Sequence, residues 1–182
     1  MPPASETPLF DSLLLAQLGG RPELAEALCA LLGRALAGDS PALPVWIAGP
    51  GQTGKTVLAR AFEALFPPEA VGRPDYALPP NAALLLAHER ADPAEFRALD
   101  GGPLPGLAVS NHPPRTEGAG RLALFSFGNR VANPSHGLLP DILATELPAL
   151  RARLLLAARA LRDGAAANGG DVWAALPSGV AA

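Results

Sequence analysis

Lysine is almost missing from this chain: its 14 basic residues are arginines except for Lys55. Cysteine occurs once, as Cys29, which excludes an internal disulfide and any cysteine-based zinc cluster. Its expected role is that of a small buried apolar residue. Aromatics are only 5% and charged residues 17%, against 49% apolar, so a core must be assembled mainly from Leu, Ala and Val. No apolar run approaches the ~18 residues of a membrane span. No basic and apolar leader opens the chain. The protein is expected to be soluble and intracellular, with no membrane partner. A net charge of −3 does not suit a stand-alone nucleic-acid binder.

The lone lysine lies in GPGQTGKT, Gly49 to Thr56, which fits the phosphate-loop pattern G-x-x-x-x-G-K-[ST]. Gly49, Gly51 and Gly54 free the backbone to fold around phosphate, with successive N–H groups pointing into one concavity. Pro50, Gln52 and Thr53 complete the loop that would cradle the nucleotide. Lys55 would reach the β- and γ-phosphates of ATP, and Thr56 would offer its hydroxyl to Mg²⁺. Pro44 to Ala48 reads as a buried strand before the loop, and Val57 to Phe66 as a helix after it, stopped by Pro67-Pro68. The helix would turn its positive dipole end on the phosphates. The competing reading is an ordinary glycine-rich turn before a helix.

At 182 residues the chain suits one domain, and 21 prolines with 19 glycines favour short elements and tight connections. Residues 1–8 read as a disordered lead and 9–40 as an N-terminal helical segment, with helices at Leu9 to Leu18 and Pro22 to Ala37. Residues 41–135 read as a P-loop ATPase core, 136–163 as C-terminal helices broken near Pro148, and 164–182 as a loose tail containing Trp173. Within the core, Pro67 to Pro80 is irregular. Further strands are expected at Ala82 to Ala87, Leu107 to Ser110 and Leu122 to Phe127, with a short helix from Asp92 to Leu99 and a turn over 101–106. Strands alternating with helices predict an α/β sheet with the loop at a strand's carboxyl end. With the phosphate-loop motif this resembles a P-loop NTPase (AAA+-like) three-layer fold, with N-terminal helices and a short C-terminal helical part.

Hydrolysis also needs a carboxylate at the end of a neighbouring strand, to hold Mg²⁺ or polarise the attacking water. Glu89, after Leu84 to Ala87, is the candidate; Asp92 and Glu95 fit better as partners of a helix start. A plain surface acid is the alternative for Glu89. His88 has no partner at ligand spacing and reads as incidental. Asn111 follows directly on a strand, so its amide would project where a γ-phosphate lies, or else it caps the turn before Pro113. Arg121 precedes the last strand and could stabilise transition-state charge in its own or a neighbouring subunit. Residues 1–109 hold 7 basic and 12 acidic side chains, whereas 110–162 hold 7 and 3. That basic second half could face a polyanion or a neighbour's nucleotide, or be a solvated arginine surface.

In order along the chain, LGRALAG, GPGQTGKT, LLLAHE, FRALDGG, AVSNHPPR, RLALFSF and LATELPALRARLLLAARAL resemble the motifs of superfamily 3 helicases of viruses, phages and plasmids. The resemblance spans about Leu24 to Leu161. It implies an ATP-binding and ATP-hydrolysing protein of DNA replication, with Lys55 and Thr56 on phosphate and Mg²⁺ and Glu89 as the Walker B acid. It further implies Asn111 as sensor 1, Arg121 as the finger reaching a neighbour's ATP, a hexameric ring of identical subunits, and single-stranded DNA as partner. The chain departs from the pattern in three places. His88 stands where a second acid is frequent, and Arg97 replaces a lysine. Only GGPLPGL joins Leu99 to the sensor strand, where the family carries a DNA-gripping hairpin.

Two other classes fit the same residues. A small P-loop kinase would need a mobile arginine-bearing lid, for which only Arg115 to Arg121 is available. A helicase-like remnant would bind nucleotide and regulate without turnover.

Overall fold

The computed structural model describes residues 6–39, 44–73, 76, 78–88, 105–114, 122–131, 136–178 and 180. Two helices come first, α1 (Pro8–Gln17) and α2 (Pro22–Ala37). Each carries proline in its first turn, where a missing N–H costs nothing. Gly38 closes α2 in the left-handed conformation, φ 69°. Within α2, Ala25 and the whole run from Ala27 to Arg34 are buried. α2 is a central helix, covered on most of its circumference.

Strand β1 (Val45–Ala48) feeds the loop and α3 (Lys55–Glu63). The rest of the sheet is β2 (Val71–Gly72), β3 (Leu84–His88), β4 (Gly106–Ser110) and β5 (Ala123–Ser126). The strands lie in the order β2-β3-β4-β1-β5 and every described pairing is parallel. Ala48 at the end of β1 is level with Ser110 of β4 on one side and Ser126 of β5 on the other. Near-continuous apolar strands suit such a sheet, because both faces are covered. Val45, Ile47, Leu84, Leu86, Leu107, Val109, Ala123 and Phe125 point into the main core with the helices, while Trp46, Ala48, Ala87 and Ala108 form a smaller cluster on the other face.

β4 inserts between β1 and β3, so the strand that precedes Glu89 is the next but one to the loop strand. β2 lies inside the segment expected to be irregular: two residues suffice because Val71 and Gly72 pair only with Leu84 and Leu85 at the sheet edge. The expected helix over 92–99 lies outside the described residues.

The C-terminal helices are α4 (Leu138–Thr145) and α5 (Leu147–Ala167), separated at Glu146. Pro148 causes the break, because its ring cannot follow a preceding helical turn but is welcome in the first turn of the next one. Residues 164–167, expected to begin a loose tail, continue α5. Beyond it Trp173–Ala175 forms a 3₁₀ turn packed on the core, Val180 is buried, and Leu124 N–H donates to the Val180 carbonyl (2.8 Å). Apolar burial and one strand-edge hydrogen bond hold this segment down. Among the described residues no helix is long and apolar enough to cross a membrane.

Candidate nucleotide-binding site

The loop from Gly49 to Gly54 joins the carboxyl end of β1 to the N-terminus of α3, and the helix begins at Lys55, two residues earlier than the apolar pattern predicts. Polar Lys55 and Thr56 hide the helical period there. Three hydrogen bonds fix the loop and its approach from β1. Gly49 N–H donates to the Ser110 carbonyl of β4 (3.1 Å), and Phe127 N–H, just after β5, donates to the Ala48 carbonyl (2.7 Å). Val131 N–H donates to the Gln52 carbonyl at the loop tip (2.9 Å). Gly49 must be glycine, since a Cβ there would lie 1.9 Å from the Phe127 carbonyl oxygen. Gln52 and Gly54 take positive φ, 64° and 79°; for a non-glycine residue like Gln52 this is an uncommon conformation, held by the surrounding bonds.

Lys55 is buried, and its ammonium donates to the carbonyls of Gly49 and Pro50 (both 2.7 Å) and to Thr53 Oγ1 (3.2 Å). Thr53 Oγ1 in turn lies 3.1 Å from the Pro50 carbonyl. The cation therefore sits in the mouth of the loop, on acceptors that an incoming anion can replace. Thr56 is exposed in the first turn of α3.

Gly51 to Thr56 and Asn111 open on one cavity of about 280 Å³. Asn111, directly after β4, is exposed on that cavity, across from the lysine loop. Its turn is anchored by His112 N–H donating to Ser110 Oγ (3.1 Å) and by Trp46 Nε1–H donating to the His112 carbonyl (3.3 Å). Asn111 therefore lies in a turn whose side-chain bond is made by Ser110, and it lines the same cavity as the loop. β3 ends at His88, level with Val109, itself a lining residue of the cavity. Glu89, Asp92, Glu95, Arg97, the stretch Arg115 to Arg121 and with it the candidate finger Arg121 lie outside the described residues.

The cavity also has an apolar wall that motif reading did not find: Leu13 of α1, Val131 after β5 and Leu138 of α4. Leu13 packs under the loop, with its Cδ1 2.6 Å from where a Cβ on Gly54 would lie. These leucines and valine look like any other core residue in sequence. Their role appears only where three distant segments converge.

The fold and the site define a P-loop NTPase-like α/β protein, with the phosphate loop at the carboxyl end of a central parallel strand. The solved structures that it is similar to include two of the NrS-1 C-terminal region. "The A form apo structure of NrS-1 C terminal region-CTR" has a TM-score of 0.59 at 13% identity and covers 86% of this chain and 46% of its own. The form titled CTR(305-718) has a TM-score of 0.62 at 13% identity and covers 91% and 55%. At that identity the likeness is one of fold, and the chain spans about half the length of those structures. No family model and no curated protein matches the sequence.

Proposed function

We propose that this chain binds ATP with Mg²⁺ in the Gly49–Thr56 loop and hydrolyses it as a superfamily 3 helicase-like protein acting in DNA replication of a virus or mobile element. One observation carries the reading: the only lysine of the chain sits in the mouth of a strand–loop–helix concavity and lines one cavity with Asn111. Phosphate oxygens would take over the hydrogen bonds that Lys55 now makes to Gly49 and Pro50, aided by the N-terminal dipole of α3. The base and ribose would lie against Leu13, Val131 and Leu138. Thr56 Oγ1 suits a hard divalent cation, which usually keeps few protein oxygens beside those of the nucleotide. The ion would neutralise charge developing on the phosphates. Glu89 is assigned the water-polarising carboxylate, Asn111 the γ-phosphate contact and Arg121 the transition-state arginine. The order of motifs in the sequence supports those roles and, with them, a ring of identical subunits acting on single-stranded DNA.

Equilibrium binding of ATP and single-strand-stimulated hydrolysis test the reading together. Lys55→Ala is expected to weaken ATP binding by two orders of magnitude or more, on the order of 3 kcal/mol, and to abolish turnover. Unchanged binding or turnover in that variant would refute the assignment. Transfer of phosphate to a small acceptor in place of water would make the protein a kinase.

A further inference from the structure

We infer that Glu146 is a positioning residue for the nucleotide site, acting as a remote clasp on α1; the inference rests on the nucleotide reading above. Glu146 is 2% exposed, yet it lies 136 and 137 positions from its partners. Its Oε1 accepts from Leu9 N–H (2.7 Å) and its Oε2 from Phe10 N–H (3.0 Å). Both donors belong to the first turn of α1, where N–H groups have no partner inside the helix. The residue that should cap this helix, Thr7, makes no side-chain cap bond; its hydroxyl donates to Asp11 Oδ2 (3.2 Å). The Glu146 carboxylate supplies the missing cap from the other end of the chain and places a negative charge at the positive end of the helix.

The position of Glu146 explains what the clasp controls. It closes α4 and opens α5, so one carboxylate joins α1 to the α4–α5 junction. α1 carries Leu13 and α4 carries Leu138, two of the apolar side chains that line the cavity. The far end of α1 is held by a second clasp. Gln17 Nε2 donates to the Asn129 carbonyl (2.8 Å) and Gln17 Oε1 accepts from Asn129 N–H (3.2 Å), two residues before Val131. With both ends pinned, α1 holds Leu13 under Gly54. Releasing either end lets the apolar wall withdraw while leaving the phosphate loop bolted to β4 and β5.

The prediction is therefore a loss of affinity selective for the nucleoside part of the ligand. ATP and inorganic triphosphate are titrated against the full chain at a temperature where circular dichroism shows each variant folded. Glu146→Gln, which replaces one accepting oxygen by an NH₂ group, is expected to weaken ATP binding about tenfold and triphosphate binding less than about twofold. In a Leu13→Ala background the same change is expected to add less than about twofold, because the wall it positions is already gone. Gln17→Ala should reproduce the selective loss, and it carries the test if the Glu146 variant does not fold. ATP affinity unchanged in the folded variants, a parallel loss of both ligands, or full additivity with Leu13→Ala would each overturn the clasp. Wild-type protein that binds neither ligand would instead refute the nucleotide reading itself, and the clasp's role at the site with it.

Discussion

Burial changes the chemistry of side chains that sequence leaves ordinary, and Cys29 is the clearest case. The thiol is fully buried in α2, and burial pushes its pKa up to about 12. The nearby Arg153 guanidinium opposes that rise without reversing it, while Glu26 and Asp11 add to it. The thiolate is the reactive form, so Cys29 is inert in the fold. The sign of the linkage follows from the raised pKa. Below the unfolded-state value near 8.5 the thiol is neutral in both states, and its contribution to stability is fully present. As pH rises toward 12 the unfolded chain loses the proton first, and stability falls by up to about 1.4 kcal/mol per pH unit. Urea unfolding between pH 8 and 11 should therefore decline more steeply for the wild type than for Cys29→Ala. Equal slopes would mean that the site is wetter than its burial indicates.

At the scale of elements, the α2–α5 contact sets how tightly the helical layer closes. A Cβ at Gly33 would lie 1.9 Å from the Leu154 carbonyl oxygen, so the two helices meet backbone to backbone. Arg153, one residue away, bridges Glu26 of α2 (Nη1 to Oε2, 2.9 Å) and Asp11 of α1 (3.7 Å). It ties three helices on the rim of the same contact. Gly33→Ala must force the helices apart, and it is expected to cost about 3 kcal/mol by urea denaturation. Gly164, in α5, offers the contrast. A Cβ there makes only an ordinary contact at 3.9 Å with Ala175, so Gly164→Ala should stabilise by about 0.5–1 kcal/mol through helix propensity. Identical effects at the two glycines would refute the close packing. The helix bounds themselves were mostly legible: proline and left-handed glycine mark both ends of α2, and Pro148 marks the α4–α5 break. The onset of α3 at Lys55 was not, because phosphate-loop residues are chosen for ligand chemistry rather than for helical periodicity.

For the whole molecule, the strand order matters most. Placing β4 between β1 and β3 brings Asn111 beside the loop strand and puts the strand that precedes Glu89 one step further out. The two sides of β1 are thus bordered by β4, which closes the acidic first part of the chain, and β5, from the basic second part. If Arg121 serves a neighbouring subunit's ATP, the two half-sites can be separated by mutation. Lys55→Ala and Arg121→Ala should each be inactive alone, yet recover a measurable fraction of wild-type ATPase when mixed, because some interfaces then pair an intact loop with an intact arginine. Activity that stays absent in every mixture, with both variants folded and assembled, would refute a shared site.

Local sequence determined the phosphate loop, its flanking strand and helix, the boundaries of α2 and the apolar strands of the sheet. Those features depend on neighbours within a few residues: backbone freedom at glycine, proline punctuation and unbroken apolar runs. Tertiary structure alone decided the strand order, the wall of Leu13, Val131 and Leu138, and the bond from Glu146 to the start of α1. Each of these joins groups more than a hundred positions apart or depends on which strand lies beside which. Nothing in the local Thr-Glu-Leu-Pro segment shows that the Glu146 carboxylate is buried against two N–H groups of the first turn of α1.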